Sequence, residues 1–200
     1  MTDTTTTGGQ RAAKLTTDVL APGNLVIASL SLIGLASEHP GTGFLWGCLA
    51  ALFAGVIPLA VIALGVRRGR LTDIHVVRRE QRNTPLLIGI CSVVVGLVLV
   101  YTLPAPPEVR ELTAAMLAGL ISAAAVTRVW KISIHAAVAA GITVVFVITF
   151  GPLGWLVAIA AVAVGWSRVQ LAVHNLAQVL AGFLLGVVIT GGLYALLHGL

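Results

Sequence analysis

Charge is scarce in this sequence. Of 200 residues only 10% are Asp, Glu, Lys or Arg, and just seven of those are acidic. So few carboxylates exclude the oxygen-rich cluster that a hard divalent cation requires. Cysteine is scarcer still. Cys48 and Cys91 both fall inside apolar runs, which excludes a disulfide framework and a thiolate metal site. No sustained alternation of apolar and polar residues is present, so a transmembrane barrel is excluded as well. The opening "MTDTTTTGGQ" lacks the basic, apolar and cleavage regions of a secretory signal.

What fills the space is apolar surface. Hydrophobic residues make up 58% of the chain and the mean hydropathy is +1.03, more than a soluble domain can bury. Uncharged runs at roughly 18–37, 44–66, 86–103, 112–128, 136–150, 153–166 and 174–197 read as spans of the bilayer core. Two of them, 136–150 and 153–166, are short, and are either lengthened by their neighbours or joined as a buried pair. The expected fold is all-α: a polytopic membrane bundle of six to seven helices. Residues 1–16 are expected to form a disordered polar tail, and 17–200 a single integral-membrane domain. Pro22, inside the first run, leaves open an interfacial helix there. The 22 glycines suit close helix packing, within one chain or between copies, so a homo-oligomer remains open.

The charges that exist are distributed unevenly. Taken alternately, one set of loops holds Arg11, Lys14, Arg67, Arg68, Arg70, Arg78, Arg79, Arg82, Arg128, Lys131 and Arg168. The other holds Arg110 with Glu38, Glu108 and Glu111. The positive-inside rule places the first set at the cytoplasmic face, where basic loops also meet anionic lipid head groups. His39 and His198 belong to the opposite face and are expected to be solvated. Trp130 and Trp166 fit the interfacial aromatic belt. An integral protein of a bacterial inner membrane is the expected setting, with membrane lipids as neighbours and no nucleic-acid partner.

Three segments interrupt the apolar pattern with more than bare cations: "TDIHVVRREQRNTP" (72–85), "WKISIHAA" (130–137) and "WSRVQLAVHNLAQVLAG" (166–182). An even number of spans separates each from the next, so all three emerge on the same side. Together they hold His75, His135 and His174 with Arg78, Arg79, Arg82, Lys131 and Arg168. Their carboxylates are just Asp73 and Glu80. This is a poor kit for a metal and a good one for a phosphate. Arginine forks and a lysine bind its oxygens, Ser133 and Ser167 can donate, and two histidines can act as nucleophile and proton donor.

"SRVQLAVH" has the pattern Ser-Arg, five residues, His, which resembles the third motif of the type 2 phosphatidic acid phosphatase family, the membrane branch of the vanadium haloperoxidase superfamily. "ISIH" is similar to that family's second motif, Pro-Ser-Gly-His. The 73–85 segment falls where the first motif, Lys, six residues, Arg-Pro, belongs. The resemblance implies that His174 attacks phosphorus to form a phosphohistidine. Arg168 then holds the phosphoryl oxygens, His135 protonates the leaving oxygen, and Ser133 donates to an equatorial oxygen. It requires no metal or cofactor. If helical throughout, Arg168 and His174 lie about 120° apart around the axis and about 9 Å apart along it.

The match departs from the family at several positions. An Asp usually follows the third-motif histidine by four residues; here Gln178 stands there, able to accept from the ring and set its tautomer but uncharged. Asn175 is less well placed for that task. The second motif carries Ile132 and Ile134 in place of Pro and Gly, and Lys131 upstream can supply a cation. In the first motif His75 and Asn83 replace Lys and Pro. Arg82 is the choice for its arginine, with Arg78 and Arg79 as competitors, and Asp73 either orients one of these groups or balances charge. The implied function is hydrolysis of a lipid phosphate or diphosphate, polyprenyl-type slightly favoured over phosphatidate-type. The alternative is a relative that binds lipid phosphates without hydrolysing them. A transporter is disfavoured, because no ionisable residue falls at the centre of an expected span.

Overall fold

The computed structural model describes residues 8–200, and every regular element among them is a helix. The part of the expected tail at 1–7 lies outside the described residues. From Gly8 onward that expectation is corrected: Gly8–Val19 is a helix, α1. Its sequence, GGQRAAKLTTDV, buries Ala13 and Thr17 on one face. These stand one turn apart, so the helix is amphipathic despite its polar composition. Pro22 then opens α2 (Pro22–Leu35), at 47° to α1. Asn24 fastens the corner by donating to the Asp18 and Val19 carbonyls.

Proline at the first turn, where a missing N–H costs nothing, also starts α3 (Pro40–Ala51) and α6 (Pro107–Val129). A π-helical turn joins α3 to α4 (Ile57–Arg67). After a basic loop comes α5 (Asn83–Thr102), and beyond α6 lie α7 (Ile134–Phe150) and α8 (Leu156–Gln170). The chain closes with α9 (Leu176–Leu185), a second π-helical turn, and α10 (Gly192–Leu197).

Five helical stretches among the described residues are long and apolar enough to cross a membrane, or six if α1 and α2 count as one bent span. The longest of the five, Ile134–Gln170, doubles back on itself. Gly151 takes φ +60°, and Gly154 lies so close to the Phe146 and Val147 backbone that no side chain fits between. As one straight rod, His135 and Arg168 would be about 50 Å apart, yet they are electrostatic neighbours. The two short apolar runs are thus the arms of a helical hairpin.

Leu45, Leu87, Ile159, Leu184 and many other large apolar side chains point outward. On helices of this length, an apolar exterior marks a membrane-embedded protein. Inside, Leu30, Ile33, Val100, Leu112, Val145 and Tyr194 form the main core. Glycines set the tightest contacts: Gly182 and Gly186 of α9 and its π turn press against the backbone of Ser133, just before α7, and of Ala137 within it. Small residues four apart allow such an approach where lipid gives helices no hydrophobic reason to associate.

Candidate functional site

All three polar segments meet at one end of the bundle, and α1 joins them. In the α4–α5 loop Val76 holds a left-handed φ of +45°, uncommon for a β-branched residue. Both Asp73 carboxylate oxygens accept from the Val77 amide, so Asp73 braces its own loop. Arg82 is buried. Its Nε donates to the Val76 carbonyl (2.9 Å) and its Nη1 to the Ile132 carbonyl (3.1 Å), joining this loop to the α6–α7 linker. Arg79 donates to the Val129 carbonyl at the end of α6, where a cation suits the helix dipole. Arg78 is exposed. Of the three competing arginines, Arg82 is therefore the buried one, and part of its donor set already holds backbone.

Ser133 caps α7, accepting from the Ala136 amide, which leaves its O–H able to donate. Its own amide donates to the Gln178 carbonyl, tying the starts of α7 and α9 together. His135 follows in the first turn, 5% exposed, and its Nε2 is buried without a hydrogen-bond partner. Arg168, His75, His174 and Arg82 all act on it electrostatically. An unsatisfied buried ring nitrogen among cations is costly unless something else fills the space.

A turn separates Arg168 from His174, so the spacing that a continuous helix would give them does not apply. α8 stops at Gln170, and Ala172 takes φ +53°. The Val173 amide returns to the Arg168 carbonyl and the Ala172 amide to that of Val169, the paired bonds of a Schellman end with alanine where glycine is usual. This turn folds His174 back over Arg168, so the His174 amide also donates to the Arg168 carbonyl. Asn175 caps α9 with Gln178 in a reciprocal capping box.

Gln178 Oε1 also lies 3.1 Å from His174 Nδ1. An amide oxygen only accepts, so Nδ1 carries the proton and Nε2 keeps its lone pair. Burial lowers the His174 pKa to about 4; Gln178 opposes that shift, and Arg82, Arg168 and Lys131 reinforce it. At neutral pH the ring is uncharged, the form a nucleophile needs. Burial, then the charges of Arg82 and Arg168, also lower Lys131, against a pull from Glu80.

Arg168 is 2% exposed and its Nε lacks a partner. Its Nη1 donates to Thr17 Oγ1 of α1 at 3.3 Å. Thr17 also pairs with the Ser167 hydroxyl, which bonds the Val164 carbonyl. Next to it, Asp18 Oδ1 lies 3.0 Å from His75 Nε2, and the His75 ring packs edge-on against His135 at 5.3 Å. Thr17 and Asp18 belong to no motif. Beyond helical spacing, which puts Thr17 on the buried face of α1, no sequence signal points to them.

A cavity of about 860 Å³ opens beside these groups. Asp18, His75, Arg82 and His135 form its polar end, and its apolar walls run down to Ile142 and Thr190. Arg168 and His174 stand outside its lining, while His135, which both act on electrostatically, belongs to it. Of the histidines assigned to the other end, His198 is paired with Glu111 at 2.8 Å and stacked on Tyr194, while His39 is exposed. Comparison with protein-family models, with curated proteins and with solved structures finds no match for this chain.

Proposed function

We propose that this protein is a membrane lipid phosphatase of the type 2 phosphatidic acid phosphatase kind, working through a phosphohistidine. The carrying observation is the setting of His135: a buried ring nitrogen without a partner, on the lining of an apolar cavity and within electrostatic reach of the neutral His174 and of Arg168. Three like charges, Arg82, Arg168 and Lys131, act on His174. Gathering cations around a buried group is unfavourable until an anion joins them, and a phosphoryl group supplies that charge.

In the proposed reaction His174 Nε2 attacks phosphorus. Arg168, with Lys131, stabilises the charge on the equatorial oxygens. His135 delivers a proton to the lipid oxygen as the P–O bond breaks, then takes one from the water that attacks the phosphohistidine. The lipid chain lies along the apolar cavity, and the three loops face the cytoplasm of a bacterial cell, the side their cations favour. In this reading α7 and α8 cross separately, so the hairpin returns Arg168 to the face where His135 began.

The test is phosphate release by purified protein from polyprenyl and glycerolipid phosphates, with and without chelator. Chelator-resistant release that His174→Ala abolishes supports the reading, and full turnover by that variant refutes it. Gln178 favours a second reading, a protein that binds lipid phosphate without turnover, because it cannot supply the negative charge that steadies an imidazolium. Saturable binding with no release in any condition would select it.

A further inference from the structure

At the end of α1 two consecutive residues face different neighbours. Thr17 accepts from Arg168 Nη1, on the side of the proposed chemistry. Asp18 lines the cavity instead, and its Oδ1 accepts from His75 Nε2 at 3.0 Å. Asn24, in the first turn of α2, lines the cavity as well. Its side-chain nitrogen donates to the Asp18 and Val19 carbonyls, which fixes the amide and leaves Oδ1 as its remaining hydrogen-bonding atom. No donor among the described residues meets Asp18 Oδ2 or Asn24 Oδ1. The same cavity end holds His135, 5% exposed, with its Nε2 unpartnered.

Donors and acceptors are thus divided over a short distance. Arg168, Lys131 and Arg82 act on His174, whereas the α1–α2 corner offers acceptors. The nearby donors are already engaged: His75 Nε2 by Asp18, and Arg82 Nε and Nη1 by backbone carbonyls. Asp18 carries the one carboxylate on the described cavity lining, and its side chain is 50% exposed. A plain hydrocarbon drawn past it would strip water from a charged group and return nothing, which is unfavourable. A hydroxyl or ammonium at that point would replace the water with a charge-assisted hydrogen bond.

We propose that Asp18 and Asn24 form a subsite selecting lipid phosphates that carry a hydroxyl or ammonium group within a few carbons of the ester oxygen; the proposal rests on the phosphatase reading, which puts the phosphoryl group at His174 and Arg168. The spacing follows from the short row of contacts between the two places. The His75 ring packs against His135 at 5.3 Å, and Asp18 holds His75. The phosphate then sits among the cations, the donor meets the acceptor corner, and the chain runs down the apolar wall towards Ile142. The subsite holds the ester without touching the bond that breaks, so its effect belongs in KM.

The experiment uses full-length purified protein in detergent and three alkyl phosphates of one chain length: unsubstituted, 2-hydroxy and 2-amino. Wild type should favour at least one donor-bearing ester about tenfold or more in kcat/KM, the scale of a hydrogen bond to a charged group, chiefly through KM. Asp18→Ala should shrink that ratio about tenfold, a comparison in which the esters' intrinsic reactivities cancel. Asp18→Asn keeps an acceptor oxygen but loses the charge, so it separates the two donors. A hydroxyl preference survives it in part, and an ammonium preference does not. A merely structural Asp18 would lower all three esters alike and leave the ratio standing. That result, or a wild type without preference, overturns the subsite alone. A wild type that releases phosphate from none of the esters overturns the phosphatase reading. Calorimetric titration with the matching non-hydrolysable phosphonates then decides the subsite: tighter binding of a donor-bearing phosphonate that Asp18→Ala abolishes supports it, and equal affinity for all three overturns it.

Discussion

A single carbonyl oxygen, Gln178 Oε1, accepts from His174 Nδ1 at 3.1 Å and from the Asn175 amide at 3.3 Å. The same atom therefore caps α9 and sets the tautomer of the proposed nucleophile. Helix start and reactive ring are mechanically one unit, joined to α7 through the bond from the Ser133 amide to the Gln178 carbonyl.

Replacing Gln178 separates these roles. Gln178→Leu removes the acceptor from both groups, and with the tautomer no longer fixed kcat should fall roughly tenfold or more. Gln178→Glu keeps an oxygen there and adds a charge, which should raise the His174 pKa from about 4 by about one unit or more. Histidine NMR titration of the two variants and the wild type checks both statements.

The pH dependence of stability has a definite sign. His174 has a folded-state pKa of about 4 against an ordinary 6.5, so between these values the unfolded chain binds more protons. Its contribution is fully present above pH 6.5 and is lost as pH falls towards 4. Thermal unfolding in detergent across that window should show a fall that His174→Gln reduces. Identical slopes for both proteins would contradict the neutral buried ring.

Much of this end of the molecule was legible in the sequence. The Ser-Arg spacing marks Arg168 and His174, the fourth residue onward marks Gln178, and span parity brings His75, His135 and His174 to one face. The turn between Arg168 and His174 was not legible, because "VQLAVHN" contains neither glycine nor proline and the left-handed position falls on Ala172. Asn175 three residues before Gln178, a capping pair, was the available signal for a helix start there. Thr17 and Asp18 were hidden for a different reason. Their partners lie 150 and 57 positions away, and contacts at such separations follow from packing rather than local pattern. Nor does residue type reveal that Arg82 directs two donors at backbone carbonyls.

Thr17→Val tests the link from α1 to Arg168. Valine keeps the shape but removes the acceptor of Arg168 Nη1 and the partner of Ser167. Leaving a buried charged donor unpaired costs about 1–3 kcal/mol. The expected result is a lower unfolding temperature with weaker inhibition by inorganic phosphate. An unchanged phosphate affinity would mean that Thr17 steadies α1 without positioning Arg168.

Gly182→Ala tests whether the α7–α9 contact sets the site. A methyl group there meets the Ser133 carbonyl and Ala136, so α9 must withdraw, taking Gln178 and the turn that carries His174 with it. Overpacking of this kind costs about 1–3 kcal/mol, and activity should fall more than stability alone explains. Gly41→Ala is the control, since nothing lies within 4 Å of its added carbon and alanine favours a helix; it should leave both properties near wild type.

Gly89→Leu tests the cavity as the seat of the lipid chain. Gly89 lines its wall on α5, and a Cβ there makes only an ordinary contact, 3.6 Å from Leu120. The rest of a leucine side chain must then project into the space or along its wall. Leucine is also the better helix former, so the fold should not suffer. If the chain lies in this cavity, the variant's kcat/KM should drop about tenfold or more for a long-chain lipid phosphate, since a narrowed channel excludes buried methylene groups worth about 0.8 kcal/mol each. A short-chain phosphate ester, which needs only the polar end with His135 and Arg82, should be turned over at nearly the wild-type rate. Equal losses on both would place the chain elsewhere, along the lipid-facing surface of the bundle.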